Sequence, residues 1–422
     1  MTSSKRSCYV YLQLPGTLNV VTCGRYEREI LRDGRAVGRF VYGESYRQRT
    51  DAVPLDPYQL PITPRRYETS KLEGLFGALR DASPDAWGRR VIEKVTGRVD
   101  LHEFNFLMEG PEDRAGALSF GLARDPPAPA RDFNRVLNLA EVRNAAKALE
   151  NMRPGEPVPK QVVQLTHPGT SLGGARPKNV VEDEDGLWIA KFPQRGDKWT
   201  NAPVEAGMLA LAARCGIRTP ETRVEWIDGE GVLLIKRFDR QRFSDGYLRH
   251  RMISALTVLD AEDRATDRTN WSYLLLADEL QRWSGRPAAD REELFRRVVF
   301  NALISNLDDH PRNHALIAPE REWQLAPAYD LTPQPSASLE QSNLALECGP
   351  LGRMARRDNL LAGAGRFGLE KGAAAAIIDG LRQVVAQRWR GEVLRHGGTE
   401  GDCAMIESAF VYAGFDHPTQ PP

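Results

Sequence analysis

The sequence predicts an α+β fold with two lobes, in which a β-rich first part precedes a mainly helical second part. Short runs rich in β-branched and aromatic residues, such as "CYVYLQL" and "VGRFVYG", dominate the first 45 residues. After residue 255, apolar residues recur at helical intervals in "NWSYLLLADELQRW" and "REELFRRVVFNALISN". Polar, acid-rich stretches lie where the two parts join. We therefore expect a β-containing lobe and a helical lobe with a cleft between them.

The composition is that of a globular protein with ample apolar material for a core. The chain has 422 residues, of which 41% are hydrophobic and 27% charged, so two or three domains are expected. Its formal net charge of zero argues against a dedicated nucleic-acid coat or a membrane-surface protein. The five cysteines are scattered without a CxxC pair, which is typical of reduced thiols in a cytosolic protein. No signal peptide and no run of 18 apolar residues is visible, so we expect a soluble, cytoplasmic protein.

The N-terminal third combines a small sheet with helices. Pro-Gly and Asp-Gly turns separate its β-rich runs, which indicates an antiparallel sheet. The following stretch has helical spacing that is interrupted at Ser83-Pro84, where Ser83 is expected to cap a helix that begins at Pro84. A proline-rich segment, residues 124–133, is the clearest linker candidate. An amphipathic helix, "NRVLNLAEVRNAAKALENM", follows it.

The middle of the chain predicts a strand, a helix and a hairpin in that order. "GLWIAKF" is typical of a strand, "APVEAGMLALAARCG" of a helix, and "TRVEWIDGEGVLLIKRFDR" of a hairpin around Asp228-Gly229. From these changes of pattern we expect three domains. They are a β-rich, then helical, N-terminal subdomain (1–130), a nucleotide-binding lobe (131–240) and a helical catalytic lobe (241–422).

The stretch "SNLDDHPRNH", residues 305–314, concentrates carboxylates, imidazoles and amides in ten positions. Three interpretations compete: a solvated loop, a zinc hydrolase site, or the catalytic loop of a phosphotransferase. His310 and His314 have the i, i+4 spacing of a zinc helix. However, the general-base glutamate of that motif is missing, and Pro311 would sit inside the helix. The zinc interpretation is therefore disfavoured.

The phosphotransferase interpretation depends on spacing. In kinase catalytic loops, an aspartate orients the substrate hydroxyl, and an asparagine five residues later binds a metal ion. Asp308 and Asn313 are five residues apart, and a second metal-binding carboxylate, Asp330 in "LAPAYDLTP", follows 17 residues later. Magnesium takes a few hard oxygen ligands and keeps water and phosphate oxygens around them, which suits this set.

A kinase also needs positive charge and backbone amides around the phosphates. "TSLGGARPK" contains Ser171, Gly173, Gly174 and Lys178, but by itself it is equally typical of an ordinary turn. Lys191 lies in the predicted strand "WIAKF", where it either extends from an edge strand or reaches the α- and β-phosphates.

The remaining parts of the kinase plan follow in order. Glu205 is either the acidic partner of the strand lysine or a solvated glutamate in the first turn of a helix. "LLIKRFDR" would link the lobes, with backbone groups of Lys236, Arg237 and Phe238 beside the adenine of ATP. Each signal is weak alone, and their order along the chain favours a kinase.

At this point the chain resembles the HipA family, the serine/threonine kinase toxins of bacterial toxin–antitoxin modules. The resemblance lies in "GGARPK", "LLIKRFDR", "NLDDHPRNH" and "PAYDLTP", and in the N-terminal "SPDAWGRRVI" and "EDRAGALSFGL". It implies a two-lobed protein-kinase-like core, similar to phosphatidylinositol kinases, carrying a HipA-type N-terminal subdomain.

The resemblance also implies roles for individual residues, together with ATP and Mg²⁺ as cofactors. Asp308 would be the catalytic aspartate, Asn313 and Asp330 the magnesium ligands, and Lys191 the phosphate-binding lysine. Ser171 matches the serine that family members autophosphorylate to switch themselves off, and Lys178 matches a lysine of the same loop. Asp309 and His310 belong to the matching motif without an assigned role.

The leading hypothesis is therefore an ATP- and magnesium-dependent serine/threonine kinase that acts as a toxin. The resemblance implies an aminoacyl-tRNA synthetase as a possible substrate and a HipB-like helix-turn-helix antitoxin as partner, with DNA contacted only through that complex and no membrane contact. One alternative is a catalytically weak co-repressor that works with the antitoxin on DNA. Another is a kinase acting on a small molecule or lipid, because a two-lobed plan does not determine the substrate.

Overall fold

The computed structural model describes residues 4–128, 133–153, 156–166, 176–263, 266–335, 338 and 342–417. Within this part of the chain, strands β1 to β15 are Ser4–Gln13, Val20–Ile30, Ala36–Tyr42, Tyr67–Thr69, Leu118–Gly121, Asn134–Arg135, Lys178–Asp183, Gly186–Lys191, Thr222–Ile227, Glu230–Lys236, Arg240–Phe243, Gly246–Arg249, Arg251–Ser254, Ala315–Ala318 and Gln324–Leu325. Helices α1 to α13 are Glu44–Arg47, Gly77–Asp81, Ala86–Thr96, Glu103–Glu109, Leu139–Asn151, Lys160–Thr166, Asn201–Arg214, Ala255–Val258, Tyr273–Trp283, Pro287–Leu303, Arg357–Gly363, Lys371–Arg395 and Glu400–Ile406. The β-rich N-terminal region and the helical C-terminal part confirm the predicted α+β class.

The chain divides into two compact units. The first comprises Met1–Ala190, Asp239–Ile253 and Ile317–Arg321. The second comprises Lys191–Phe238, Ser254–Leu316 and Glu322–Pro422. The predicted domain boundaries at residues 130 and 240 stay a prediction.

The first unit is built on an antiparallel sheet with strand order β4-β3-β2-β1-β5. Its core contains the buried tyrosines Tyr26 and Tyr42, whose hydroxyls donate to the carbonyls of Gly74 and Leu60, each at 2.6 Å. Burying a phenol in this way is tolerated because its hydroxyl has a partner. A Cβ at Gly38 would lie 1.6 Å from the carbonyl oxygen of Gly74, so only glycine allows this close approach.

The helix predicted to begin at Pro84 begins later, and its predicted cap is wrong. Helix α3 starts at Ala86, and Asp85 caps it by accepting a hydrogen bond from Gly88 N at 2.9 Å. Ser83 instead belongs to the end of the preceding helix, because its amide donates to the carbonyl of Arg80 at 2.8 Å. Asp85 therefore supplies the side-chain oxygen that caps the first-turn amides of α3.

The linker candidate at 124–133 is described only in part. Residues 124–128 lie outside helices and strands, and 129–132 are not among the described residues. The helix predicted after the linker is confirmed as α5, but it begins at Leu139, because Asn134–Arg135 forms β6 and Val136–Asn138 a 3₁₀ turn.

The second unit contains a β-hairpin and most of the helices. The hairpin β9–β10 turns at Asp228-Gly229, with φ of +51° and +80°, as its sequence predicts. Helices α7 and α12 pack so closely that a Cβ on Gly207 would lie 3.0 Å from the Cα of Val393. This packing holds α7 in place, and α10 leads directly into the "SNLDDHPRNH" segment. Among the described residues, no helix has the length and apolar character needed to cross a membrane.

Candidate active site

The second unit brings together a lysine and two carboxylates that are distant in the sequence. Lys191 is the last residue of β8, and its Nζ lies 2.6 Å from Glu205 Oε1 on α7. The same Nζ lies 2.8 Å from Asp330 Oδ1, which is 139 positions further along the chain. Lys191 and Glu205 are only 8% and 4% exposed. The alternative of a solvated glutamate at position 205 is therefore wrong.

Lys191 keeps its positive charge in this buried position. Burial acts to lower the pKa of Lys191, because a charged ammonium is less stable away from water. The neighbouring carboxylates of Asp330 and Glu205 outweigh this effect and raise the pKa above its ordinary value. An ammonium that stays charged at neutral pH and is held between two carboxylates is suited to binding phosphate oxygens.

Asp330 has a left-handed backbone conformation, with φ of +59°. This region is unfavourable for a residue other than glycine and is adopted where the surroundings require it, often at functional sites. Its side chain is 26% exposed, so its carboxylate is accessible as well as paired with Lys191.

Asp308 and Asn313 lie on one short loop that follows α10. The side chain of Asp308 is exposed, whereas Asn313 is buried in a single 3₁₀ turn, Pro311–Asn313. Asn313 Nδ2 donates to the carbonyl oxygen of Asp308 at 3.2 Å, and the His310 amide donates to the same oxygen at 2.8 Å. These hydrogen bonds connect the Asn313 side chain and the His310 backbone to the carbonyl of Asp308.

The pKa of Asp308 is raised above its ordinary value. Partial desolvation is the main cause, and the negative charges of Asp330 and Asp309 add to it against the opposing charge of His310. A raised pKa makes a carboxylate a better proton acceptor, and perturbed carboxylates of this kind cluster at active sites.

The side chain of Asn313 is suited to bind a metal ion. Its Oδ1 atom is buried and has no hydrogen-bond partner among the described residues, while its Nδ2 is held by Asp308. A buried amide oxygen normally has a partner. One amide oxygen and the carboxylate of Asp330 are hard ligands of the kind that Mg²⁺ takes in proteins.

The predicted adenine-binding segment begins at Lys236, the last residue of β10. The Lys236 amide donates to the Glu221 carbonyl at 2.9 Å, and Arg237 is buried. The ring of Phe238 stacks on that of Tyr329, with the ring centroids 5.8 Å apart. Tyr329 directly precedes Asp330 in the sequence. Contact of this segment with adenine stays a prediction.

The predicted phosphate loop is described only at its end. Ser171, Gly173 and Gly174 lie outside the described residues. Lys178 lies in the first unit, at the start of β7, where its buried Nζ is 2.6 Å from Asp85 Oδ2. Lys178 thus has a buried carboxylate partner, and its contact with ATP stays a prediction.

The sequence analysis missed a buried polar cluster beside Asp308. Asp309 Oδ2 accepts hydrogen bonds from Tyr273 Oη, from Asn301 Nδ2 at 2.7 Å and from His314 Nε2 at 2.7 Å. The position of His314, five residues after Asp309, was the available signal. Because His314 is bound to Asp309 and Pro311–Asn313 is a 3₁₀ turn, the zinc-helix interpretation is wrong.

Comparisons with known proteins place the chain in a family. Residues 18–121 match the HipA N-terminal domain, and residues 170–389 match the HipA-like C-terminal domain. Two relatives from Sinorhizobium fredii are named "Putative kinase Y4mE" and "Putative kinase Y4dM". The first is 24% identical over 74% of this chain and 76% of its own length. The second is 28% identical over 71% of this chain and 72% of its own.

A solved structure has the same fold. It is the chain matched in the complex of the toxin–antitoxin system HipA, HipB and operator DNA from Shewanella oneidensis MR-1, with a TM-score of 0.70 and 17% identity over 96% of both chains. The C-terminal family match alone spans residues 170–389, which is more than half of the 422 residues. This chain is therefore a member of the HipA family.

Proposed function

We propose that this protein is an ATP- and magnesium-dependent serine/threonine protein kinase that acts as the toxin of a HipB–HipA-like module. One observation carries the proposal. A buried lysine is held by the carboxylates of Glu205 and Asp330, in the same unit as a loop that presents Asp308 and Asn313. Family membership and the kinase names of two relatives support it.

In the proposed reaction, the protein mainly positions and stabilises charge. Asp308 accepts a hydrogen bond from the substrate hydroxyl and takes its proton as the oxygen attacks the γ-phosphorus, while the bond to the ADP leaving group breaks. Lys191 binds phosphate oxygens, and Glu205 holds the lysine in that position. Asn313 and Asp330 would hold Mg²⁺, which neutralises charge on the phosphates during transfer.

Autophosphorylation of Ser171 would switch the enzyme off. A phosphoserine adds a charge of roughly −1.5 to −2 at neutral pH. In the predicted phosphate loop, which would also contain Gly173 and Gly174, this charge would compete with the phosphates of ATP for backbone amides, or would repel those phosphates. Both outcomes prevent ATP binding without any change at Asp308.

The proposed substrate is a component of translation, such as an aminoacyl-tRNA synthetase, in the cytoplasm. The proposed partner is a HipB-like helix-turn-helix antitoxin, through which the chain would contact operator DNA. The related fold in a HipA, HipB and operator DNA complex supports this partner.

The test is transfer of labelled phosphate from ATP to protein. Purified chain and its Asp308→Asn variant are incubated with labelled ATP, Mg²⁺ and a cell extract, and phosphosites are identified by mass spectrometry. Label on serine or threonine that appears with the unaltered chain, and is absent with Asp308→Asn, supports the proposal. Label on a lipid or small molecule, or nucleotide binding without any transfer, would replace it with the small-molecule kinase or the co-repressor.

A further inference from the structure

Asp309 is a buried carboxylate to which the proposed reaction assigns no role. It is 1% exposed, whereas the adjacent Asp308 is exposed. The hydrogen-bond donors to its Oδ2 come from three separate elements: Tyr273 at the start of α9, Asn301 in α10, and His314 just before β14. Asp309 therefore connects its loop to three surrounding segments.

The partners of Asp309 are unusual for a buried carboxylate. They are a phenol, an amide and an imidazole, and neither lysine nor arginine pairs with Asp309 among the described residues. A buried carboxylate without a lysine or arginine partner is costly, and apolar packing often gives equal or better stability. Stability alone therefore gives little reason for an aspartate here.

The geometry of the loop suggests another reason. Asp309 and His314 are each the residue directly after Asp308 and Asn313, so their hydrogen bond joins the two ends of the segment that separates the proposed catalytic and metal-binding side chains. The backbone supports the same closure, since Asn313 N donates to His310 O and Ala255 N donates to His314 O, each at 2.8 Å. Loss of the Asp309–His314 bond would allow the separation of Asp308 and Asn313 to change.

We infer that Asp309 is a positioning residue, which sets the separation of Asp308 and Asn313 through its hydrogen bond with His314. This inference rests on the proposed kinase function for its effect on rate. Its effect on the loop itself is independent of that function.

The test uses His314→Leu, which removes the donor, and His314→Gln, whose amide can donate to Asp309. Tyr412→Phe is the matched control, because it removes another buried hydrogen bond of the same unit, from Tyr412 Oη to Ala355 O at 2.9 Å. The measurements are the melting temperature, kcat for phosphoryl transfer, ATP affinity without magnesium, and hydrogen exchange at the amides of His310 and Asn313.

For His314→Leu we expect kcat to fall roughly 10- to 100-fold, the scale of a small misplacement of catalytic groups. ATP affinity without magnesium should change less than about twofold on this scale, and both loop amides should exchange faster. His314→Gln should recover most of the rate, and Tyr412→Phe should lower the melting temperature without lowering kcat. A similar loss of kcat in Tyr412→Phe, or an unchanged kcat in a folded His314→Leu, would overturn the inference.

Two further arms keep the result decisive. If His314→Leu does not fold, Asp309→Leu replaces it, since this change keeps a similar volume and removes the acceptor of the same hydrogen bond. If the unaltered chain transfers no phosphate, the proposed function fails, and hydrogen exchange then decides the inference. Unchanged exchange at His310 and Asn313 in folded His314→Leu or Asp309→Leu would reject the positioning role whatever the activity.

Discussion

Replacing Lys191 with methionine should strongly destabilise the second unit as well as remove activity. The substitution keeps most of the side-chain volume but removes the ammonium. Two carboxylates would then lose their shared cation. They are those of Glu205, whose Oε1 lies 2.6 Å from Nζ, and of Asp330, whose Oδ1 lies 2.8 Å from it. Glu205 is almost completely buried, so water cannot replace the lysine there.

The size of the effect follows from these distances. At an effective dielectric constant of about 20, unit charges 2.6 Å apart attract by about 6 kcal/mol. The cost of removing the ammonium from water offsets much of this attraction in the unaltered protein. Removal of one partner from a buried pair typically costs about 3–5 kcal/mol. We expect a loss within this range, since Asp330 is partly exposed but Glu205 is not.

The loss also has a defined pH dependence. The folded-state pKa of Lys191 is raised above its unfolded value, so its contribution to stability is fully present below the unfolded pKa of about 10.4 and is lost as pH rises through the folded pKa. The difference in unfolding free energy between the two proteins should therefore narrow above pH of about 10.

Urea unfolding followed by tryptophan fluorescence measures the difference. Lys236→Met is the matched control, because it breaks a 2.8 Å pair with Glu221 that is largely exposed and worth about 0–1 kcal/mol. If Lys191→Met cost no more than Lys236→Met, the three buried charges would not form the coupled group described here.

Three further predictions concern the proposed reaction. Asp308→Asn should lower phosphoryl transfer by about 10²–10⁴-fold. Partial desolvation raises the pKa of Asp308, so its ionised form lowers the free energy of unfolding at neutral pH. The melting temperature of Asp308→Asn at neutral pH should therefore stay equal or rise; a fall would contradict this reasoning. Asp330→Ala should weaken ATP binding with magnesium more than without it in calorimetry, and equal affinities would remove Asp330 as a ligand. Ser171 should carry phosphate after incubation with ATP and Mg²⁺, in an inactive form, whereas mass spectrometry showing active protein with unmodified Ser171 would exclude self-inactivation.

Features that depend on neighbours along the chain were predicted correctly. Alternating β-rich runs and helical spacing identified the N-terminal sheet, α7, α9, α10 and α12, because these patterns reflect the period of the backbone itself. Asp228-Gly229 predicted its hairpin for the same reason, since the turn needs positive φ at both positions. The cap of α3 shows the limit even of local reasoning, because Ser83, Pro84 and Asp85 are all common at helix starts and packing selected Asp85.

Spacing from Asn313 selected Asp308 as the catalytic candidate, but only the tertiary structure showed that Asp308 and Asp309 lie in different environments. Both are aspartates in the same loop, and their sequence environment is nearly identical. Donors from Tyr273 and Asn301, more than a helix turn away in sequence, surround one carboxylate and leave the other exposed. In the same way, no local sequence pattern could predict the contact of Lys191 with Asp330, because the two residues are 139 positions apart. Burial and charge pairing depend on which segments meet in space, and local sequence patterns do not show which distant segments are in contact.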